Sequence, residues 1–453
     1  MENVSGVEEY KSYGYRWVVL LLYGLILVAQ AMLWVSFAPI ETDVQFALGM
    51  GSTAIRALAL VGPLMFVFFG SYAGDLADRK GFKFVAALGA IVCSVLGIIR
   101  AIVPHVIDSG AAQYWIFLVC QAIIGAAAVF IVTNMSKMPI KWFREKDRAL
   151  GIGLATMFFY LGTAVGFQLV TTIAAIPEDA VDVGNKAVIQ SGLNSVLTIF
   201  AIVMAAATIL FILFTREEPP TPSGPLPEEV KLGTIESLRR FLRSSVFRAL
   251  CVVSLIGYGI YMGLVVTMEK IITYHGSDFT TKFAASVASA VIIGGIVGAA
   301  ILPGVSEKIG LRKPFLILAG LIPIPMLYLM GFVGAKPVSL IAGALLGFFL
   351  LSALPVTFTI TGEMEEIGPR LAGAAVGTLM AIGSIGSFII PLLMELLKTE
   401  TAAGIPDYRW SILFLMALGV VAVAVVLIWV KETGPRARGQ QKAVEGDEVQ
   451  GEA

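Results

Sequence analysis

Residues able to do chemistry are few in the apolar stretches of this chain, and their spacing suits binding better than bond-making. Gln30 and Trp34 stand one helical turn apart, on a single face because i and i+4 coincide. Tyr258 and Tyr261 share another face, Tyr160 and Gln168 lie in a fifth apolar run, and Thr357, Thr359 and Thr378 lie in two late runs. Aromatic faces beside amide and hydroxyl groups suit a cation, a zwitterion or a flat organic molecule, through cation–π contact and stacking. For Trp34 an indole that faces lipid or packs between helices has an equal claim.

Ionisable groups are expected only toward the ends of the apolar runs. Asp75 and Asp78 fall at one edge, Arg56 and Arg100 at the other, and Glu269 about eight residues, or roughly 12 Å, from the centre of its run. A carboxylate that deep is a candidate for coupling to a proton or sodium ion, set against a span-end carboxylate in water beside Lys270. The chain has 2 histidines, His105 and His275, both outside the runs. With no metal cluster, phosphate loop, nucleophile elbow or redox motif, neither a metal nor a cofactor is expected, and the chain does not read as an enzyme. Cys93, Cys120 and Cys251 all sit in apolar surroundings and read as small buried hydrophobes.

The elements that must position these residues follow from composition. With 57% hydrophobic and 14% charged residues among 453, and a mean hydropathy of +0.87, the chain has too little polar surface for a water-soluble globule. Apolar runs long enough to cross a hydrocarbon core of about 30 Å recur throughout. They fall near 16–37, 53–77, 82–104, 113–136, 148–172 and 192–215, then 246–273, 281–303, 313–333, 337–361, 371–396 and 408–430. The fold class is therefore all-α and polytopic, with twelve spans. The first run is too long for a signal-peptide core and lacks a cleavage site, so it is read as a span. The 47 glycines suit helices that associate through close backbone approach.

Five segments result: an amino terminus (1–15), a six-helix bundle (16–215), a linker with an amphipathic basic stretch (216–245), a second bundle (246–430) and a polar tail (431–453) expected to be disordered. Of the 32 Lys and Arg, 24 fall in the termini, the linker and the loops on that side, and 8 on the other. The positive-inside rule then puts both termini in the cytoplasm, with the cell (inner or plasma) membrane as the expected location.

Gly74, Asp78, Arg79, Gly81 and Lys83 form a charged turn after the second span. A glycine at 81 gives the permissive backbone that a tight turn needs, and Gly74 would let span two approach a neighbour. The second half has Glu307, Lys308, Gly310 and Arg312 in the equivalent loop. Gly81 superposes on Gly310, Asp78 on Glu307 and Lys83 on Arg312 at an offset of 229 residues. Arg148-Ala-Leu-Gly151 and Arg370-Leu-Ala-Gly373 echo each other likewise. These repeats argue for a duplicated architecture with its site between the halves.

The turn resembles the G-x-x-x-D-R-x-G-R/K-K/R loop between spans two and three of the major facilitator superfamily, with Phe82 departing at one basic position. Lys141-Trp142-Phe143-Arg144 through Gly151 is similar to that family's loop before span five, with an interfacial Trp beside positive-inside charges as an equal reading. The resemblance implies two pseudo-symmetric six-helix bundles, alternating access, and a cavity lined by spans one, four, seven and ten with help from five, eight and eleven. It implies a gate made of Gly74, Asp78, Arg79, Gly81 and Lys83 with Glu307 and Arg312, in which Asp78 latches onto the amino end of span eleven. The substrate-site candidates are then Gln30, Trp34, Tyr160, Tyr258, Tyr261, Thr357 and Thr378, and the coupling candidate is Glu269.

The Gln30-x-x-x-Trp34 pattern is similar to the superfamily's choline- and haem-type carriers. Gly162-Thr-Ala-Val-Gly166 lacks the proline of many proton-coupled drug antiporters, and spans two and eight lack the central Arg of nitrate-type carriers. The expected function is secondary or facilitative transport of a small neutral, zwitterionic or cationic solute. Drug or metabolite efflux and monocarboxylate transport are the alternatives, and a channel or receptor is disfavoured. The expected partners are the solute, the bilayer and a proton or sodium ion, with no nucleic acid, and the chain is expected to act as a monomer.

Overall fold

A computed structural model describes residues 10–144, 147–223, 239–364, 367–401 and 406–436. Twelve of its helices are long and apolar enough to cross a membrane. They are α1 (Tyr15–Trp34), α2 (Ser52–Lys80), α3 (Phe82–Val106), α4 (Gly110–Val132), α5 (Arg148–Ala174) and α6 (Lys186–Phe214). The second half comprises α7 (Ser245–Thr273), α8 (Thr281–Ile309), α9 (Lys313–Leu321 and Pro323–Phe332), α10 (Lys336–Glu363), α11 (Gly368–Leu396) and α12 (Arg409–Trp429). Residues 224–238 of the linker and most of the polar tail lie outside the described residues, while Arg239, Arg240 and Arg243 of the basic stretch are described, ahead of α7, with Phe241 buried between them.

Local chemistry explains where the helices depart from the apolar runs. The first run ends early as a helix, at Trp34, because the Ser36 hydroxyl donates to the Leu33 carbonyl (2.6 Å) and Pro39 restricts the chain that follows. The chain then continues as a 3-10 turn (Ala38–Ile40) and a short helix (Glu41–Leu48). Helix α6 begins at Lys186, six residues before its apolar run, since the Asn185 side chain accepts from the Val188 amide as an N-cap. Helix α9 breaks at Ile322 because Pro323 has no N–H to give and its ring crowds the preceding turn.

Lipid takes the place of water outside the bundle. Along α3, Phe84, Leu88, Ile91, Val95, Ile98 and Ile102 form one exposed apolar stripe, while Ala86, Ala90, Cys93 and Arg100 line the buried face. That pattern inverts the rule for soluble helices, and it is what a hydrocarbon solvent selects.

The two halves repeat each other in their packing. In the first, α1 packs on α5, α2 on α4 and α3 on α6; in the second, α7 packs on α11, α8 on α10 and α9 on α12. Between halves, α2 meets α11 and α5 meets α8, a pair of contacts that a twofold axis would exchange. The repeat extends to helix ends. Gly81 and Gly310 both carry positive φ, +87° and +74°. Glu217, just after α6, accepts from the amides of Phe82 (2.9 Å) and Lys83 (2.7 Å). Glu432, just after α12, accepts from Arg312 (2.7 Å) and Lys313 (3.0 Å). Each carboxylate satisfies orphan donors at a helix amino terminus and meets the positive end of its dipole. These caps align Lys83 with Lys313, so the offset of 229 slips by one residue after the glycine.

Candidate functional site

The described ends of the chain and of the linker lie at one end of the bundle, the near side; the opposite end is the far side. On the far side the halves are locked together. The Arg56 Nε donates to both oxygens of Glu41 at 3.2 Å, its Nη2 donates to the Tyr408 hydroxyl at 2.6 Å, and its Nη1 pairs with Glu395 of the other half. Ser52 also donates to Glu395 at 2.5 Å. Thr42 gives Glu269 two hydrogen bonds, from its amide (3.2 Å) and its hydroxyl (2.6 Å). Deeper in, Ser289 donates to the Ala164 carbonyl at 2.9 Å and Ser286 to Gln168 at 3.2 Å. Val35, Ala38, Ala59 and Phe167 of one half join Ile260 and Val265 of the other in one apolar cluster beneath these bonds.

Near-side charges pair within one half. Lys137 of the helix after α4 (Asn134–Trp142) pairs with Asp78 and donates to the Gly74 carbonyl at 2.6 Å. Arg312 holds Glu363 at 2.9 Å and Ser306 at 3.2 Å. A Cβ added at Gly74, Gly153, Gly304 or Gly377, four near-side glycines of α2, α5, α8 and α11, would meet nothing within 4 Å among the described residues. Within the first half, α5 is packed tightly on α1: a Cβ at Gly162 would lie 2.5 Å from the Val28 Cα, and one at Gly166 would strike Val35. The four interface helices are therefore joined at the far side and splayed at the near side.

This arrangement changes two local expectations. Gly74 makes no close approach at its Cα among the described residues, its carbonyl being held instead by Lys137. Asp78 is bound to Lys137 of its own half in this conformation, rather than to the amino end of α11. Arg79 and Glu307 are exposed, Lys83 contributes its amide to the Glu217 cap, and Arg312 is buried in its pair with Glu363. Glu269 is 5% exposed and belongs to the far-side seal, so it is not a carboxylate standing in water.

Between seal and opening, aromatic rings run from one half to the other. Trp34 on α1 stacks with Phe159 on α5 at a centroid distance of 6.4 Å and 19°. Phe159 meets Tyr160 at 5.8 Å, and Tyr160 meets Tyr261 on α7 edge-on at 6.3 Å. The Trp34 indole is anchored by donation to the Ala59 carbonyl at 3.0 Å. Gln30 is buried at 4% exposure, and its Oε1 and the Tyr261 hydroxyl have no hydrogen-bond partner in the structure. The fold thus brings Trp34, Tyr160 and Tyr261 into one row with Phe159, a ring that spacing alone does not single out. Tyr258 packs against α11 at Gly383. Thr357 is buried, and the Thr378 hydroxyl is returned to its own helix at the Ala374 carbonyl.

In the sequence Arg56, Glu41, Glu395 and Tyr408 stand only as flanking charges and rings. Arg56 and Glu395 are 339 residues apart, and neither carries a local signal of the pairing. Arg100 reads as an edge charge too, yet it is fully buried inside the first half.

A family model described as the Major Facilitator Superfamily matches residues 19–391. The choline/ethanolamine transporter flvcr2a of Danio rerio is 24% identical over 403 residues, covering 83% of this chain and 79% of that protein. The solute carrier family 49 member 4 homolog of Xenopus laevis is 24% identical over 416 residues, covering 87% and 88%. Among solved structures, the nucleoside transporter NupG superposes with a TM-score of 0.65 at 15% identity, covering 91% of this chain and 99% of that one. A bacterial homolog of the human lysosomal transporter Spinster, inward-facing and occupied, gives 0.67 at 16%, covering 92% and 97%.

Proposed function

The chain belongs to the major facilitator superfamily and transports small organic solutes; from that premise we propose that its solute is a small organic amine, cationic or zwitterionic, carried by alternating access. The observation that carries this reading is the row Trp34–Phe159–Tyr160–Tyr261, which spans both halves just beneath the far-side seal. A desolvated cation over such faces gains about 2 kcal/mol per well-placed ring, without needing a buried countercharge. Gln30 and the Tyr261 hydroxyl supply unspent hydrogen-bonding capacity for a polar group on the same molecule. Relatives named as choline/ethanolamine transporters agree with an amine of that size.

With the termini cytoplasmic, as the Lys and Arg asymmetry favours, the near-side opening faces the cytoplasm and the conformation is inward-facing. The far-side ion pairs then form the outer gate, with Glu269 the candidate for proton or sodium coupling. In the opposite state the halves would close on the near side, where Gly74, Asp78, Arg79, Gly81 and Lys83, with Glu307 and Arg312, are placed to seal it. Location in the cell membrane and action as a monomer complete the proposal.

The test is uptake of radiolabelled choline and ethanolamine into proteoliposomes, with a nucleoside and lactate as controls. Amine uptake is expected, and Trp34→Ala should weaken apparent affinity at least about tenfold, since losing ~1.4 kcal/mol or more of cation–π contact has that effect. Lactate uptake without amine uptake, or amine uptake unchanged in Trp34→Ala, would sink the reading.

A further inference from the structure

The fully buried guanidinium of Arg100 has no carboxylate paired with it among the described residues. An ionised side chain at membrane depth is costly, so its compensation must come from elsewhere. The geometry identifies the source. Nη1 donates to the Gln121 Oε1 at 2.5 Å, and both terminal nitrogens reach the Leu33 carbonyl at 3.4 Å. Nη2 reaches the Ser36 hydroxyl at 3.4 Å, and the guanidinium lies 5.5 Å from the centre of the Phe37 ring. Helix α1 ends at Trp34, so the positive charge sits where the negative end of that helix dipole and its unbonded carbonyls are concentrated.

Gln121 completes the arrangement from α4, where it is 1% exposed. Its carbonyl is occupied by Arg100, which orients the amide so that Nε2 donates to the Trp34 carbonyl at 3.1 Å. The two side chains thus hold the carbonyls of Leu33 and Trp34, the last two residues of α1. The Trp34 indole is then fixed on three further sides: by the Ala59 carbonyl at its nitrogen, by Phe159 on its face, and by Gly62, where a Cβ would lie 3.4 Å from the ring.

We infer that Arg100 and Gln121 are positioning residues of the solute site, holding the carbonyl end of α1 and through it the Trp34 indole in its stacked place. The inference rests on Trp34 being a wall of that site. A residue with only a packing role would be satisfied by an isosteric replacement. The positioning role instead requires the amide N–H of Gln121 in particular, because among the described residues it is the side-chain donor that reaches the Trp34 carbonyl. Gln121→Glu separates the two roles: it keeps volume and a partner for Arg100 while removing the donor to Trp34.

The experiment is 19F NMR of the full-length protein in nanodiscs, labelled with 5-fluorotryptophan, with the Trp34 resonance assigned as the one missing in Trp34→Phe. Choline affinity of the same samples is measured by calorimetry. In Gln121→Glu the Trp34 resonance is expected to shift or broaden while those of the other tryptophans stay in place. The choline Kd should rise about fivefold, the factor that one hydrogen bond of ordinary net strength is worth. Arg100→Met should move the same resonance, and Arg100→Lys should restore part of the change. If Arg100→Met does not fold, Gln121→Glu decides alone. A Trp34 resonance unmoved in a folded Gln121→Glu protein overturns the inference. If the resonance moves but wild-type protein binds neither choline nor ethanolamine, positioning is upheld and the amine reading fails instead.

Discussion

Replacing Glu395 by Gln should open the far side. The Glu395 carboxylate takes Arg56, Ser52, Tyr408 and Lys398, of which Arg56 and Ser52 belong to the other half. Side chains of Arg56 and Glu395 are only 2% and 8% exposed, so water and salt screen their attraction little. Removing one partner of such a buried pair costs about 3–5 kcal/mol. The cost falls on the sealed state alone, because Arg56 keeps Glu41 of its own half when the halves part. If sealed and open states stand near 99:1, a gap of roughly 2.7 kcal/mol, the substitution moves them to anywhere between about even and reversed. Spin labels at the exposed far-side positions Asp182 and Asp278 and at the near-side positions Lys80 and Lys308 would report this by electron double resonance. The far-side distances should lengthen and the near-side distances shorten. Unchanged distributions in both pairs, in a folded Glu395→Gln protein, would refute the assignment of this cluster as the gate.

Two further perturbations test the packing that positions the site. Glu217→Ala and Glu432→Ala each remove a carboxylate from two amides at the start of α3 and α9, and should each cost about 1 kcal/mol. Because the caps lie in different halves their effects on Tm should add within a few tenths of a kcal/mol in the double variant, and strong non-additivity would speak against two independent copies of one device. Gly162→Val puts a branched side chain where a single Cβ already lies 2.5 Å from the Val28 Cα, so α5 must move off α1 at a cost of about 1–3 kcal/mol. Phe159 lies one turn away and should lose its stack on Trp34, so amine binding should weaken more than Tm falls; equal affinity would mean that the ring row does not contact the solute.

Much of the fold is legible because a membrane helix needs about twenty apolar residues and advertises its ends with charge, as in Arg79-Lys80-Gly81 and Glu307-Lys308-Ile309-Gly310. The two glycines are legible as turns for the same reason that the structure gives them positive φ: a tight reversal between two spans has few residues to choose from. Glu217 and Glu432 cannot be matched from their neighbourhoods, since a cap is defined by the helix it ends up beneath and not by its own flanks. Trp34 and Tyr261 can be placed on helix faces, yet only the crossing of α5 between α1 and α7 decides that Phe159 and Tyr160 connect them.

Two of the buried arginines, Arg56 and Arg100, mark the limit of such reading most clearly. Arg56 and Arg100 look alike in sequence: each stands near the far end of a span, where a surface charge is the natural expectation. In the fold Arg56 pairs with Glu41 of its own half and with Glu395 across the interface, whereas Arg100 is held by the Leu33 carbonyl, the Ser36 hydroxyl and Gln121 within its own half. The Arg56–Glu395 pairing exists only while the halves are together, so motion of the halves must break it. The Arg100 contacts lie wholly within one half, among α1, α3, α4 and the turn after α1, so a rigid-body motion of the halves leaves them intact. A transporter that rocks needs both kinds of contact, one that is exchanged between states and one that carries the site through the exchange unchanged. It is the partner of each charge, and not the charge itself, that assigns Arg56 to the proposed gate and Arg100 to the support behind the proposed Trp34 wall.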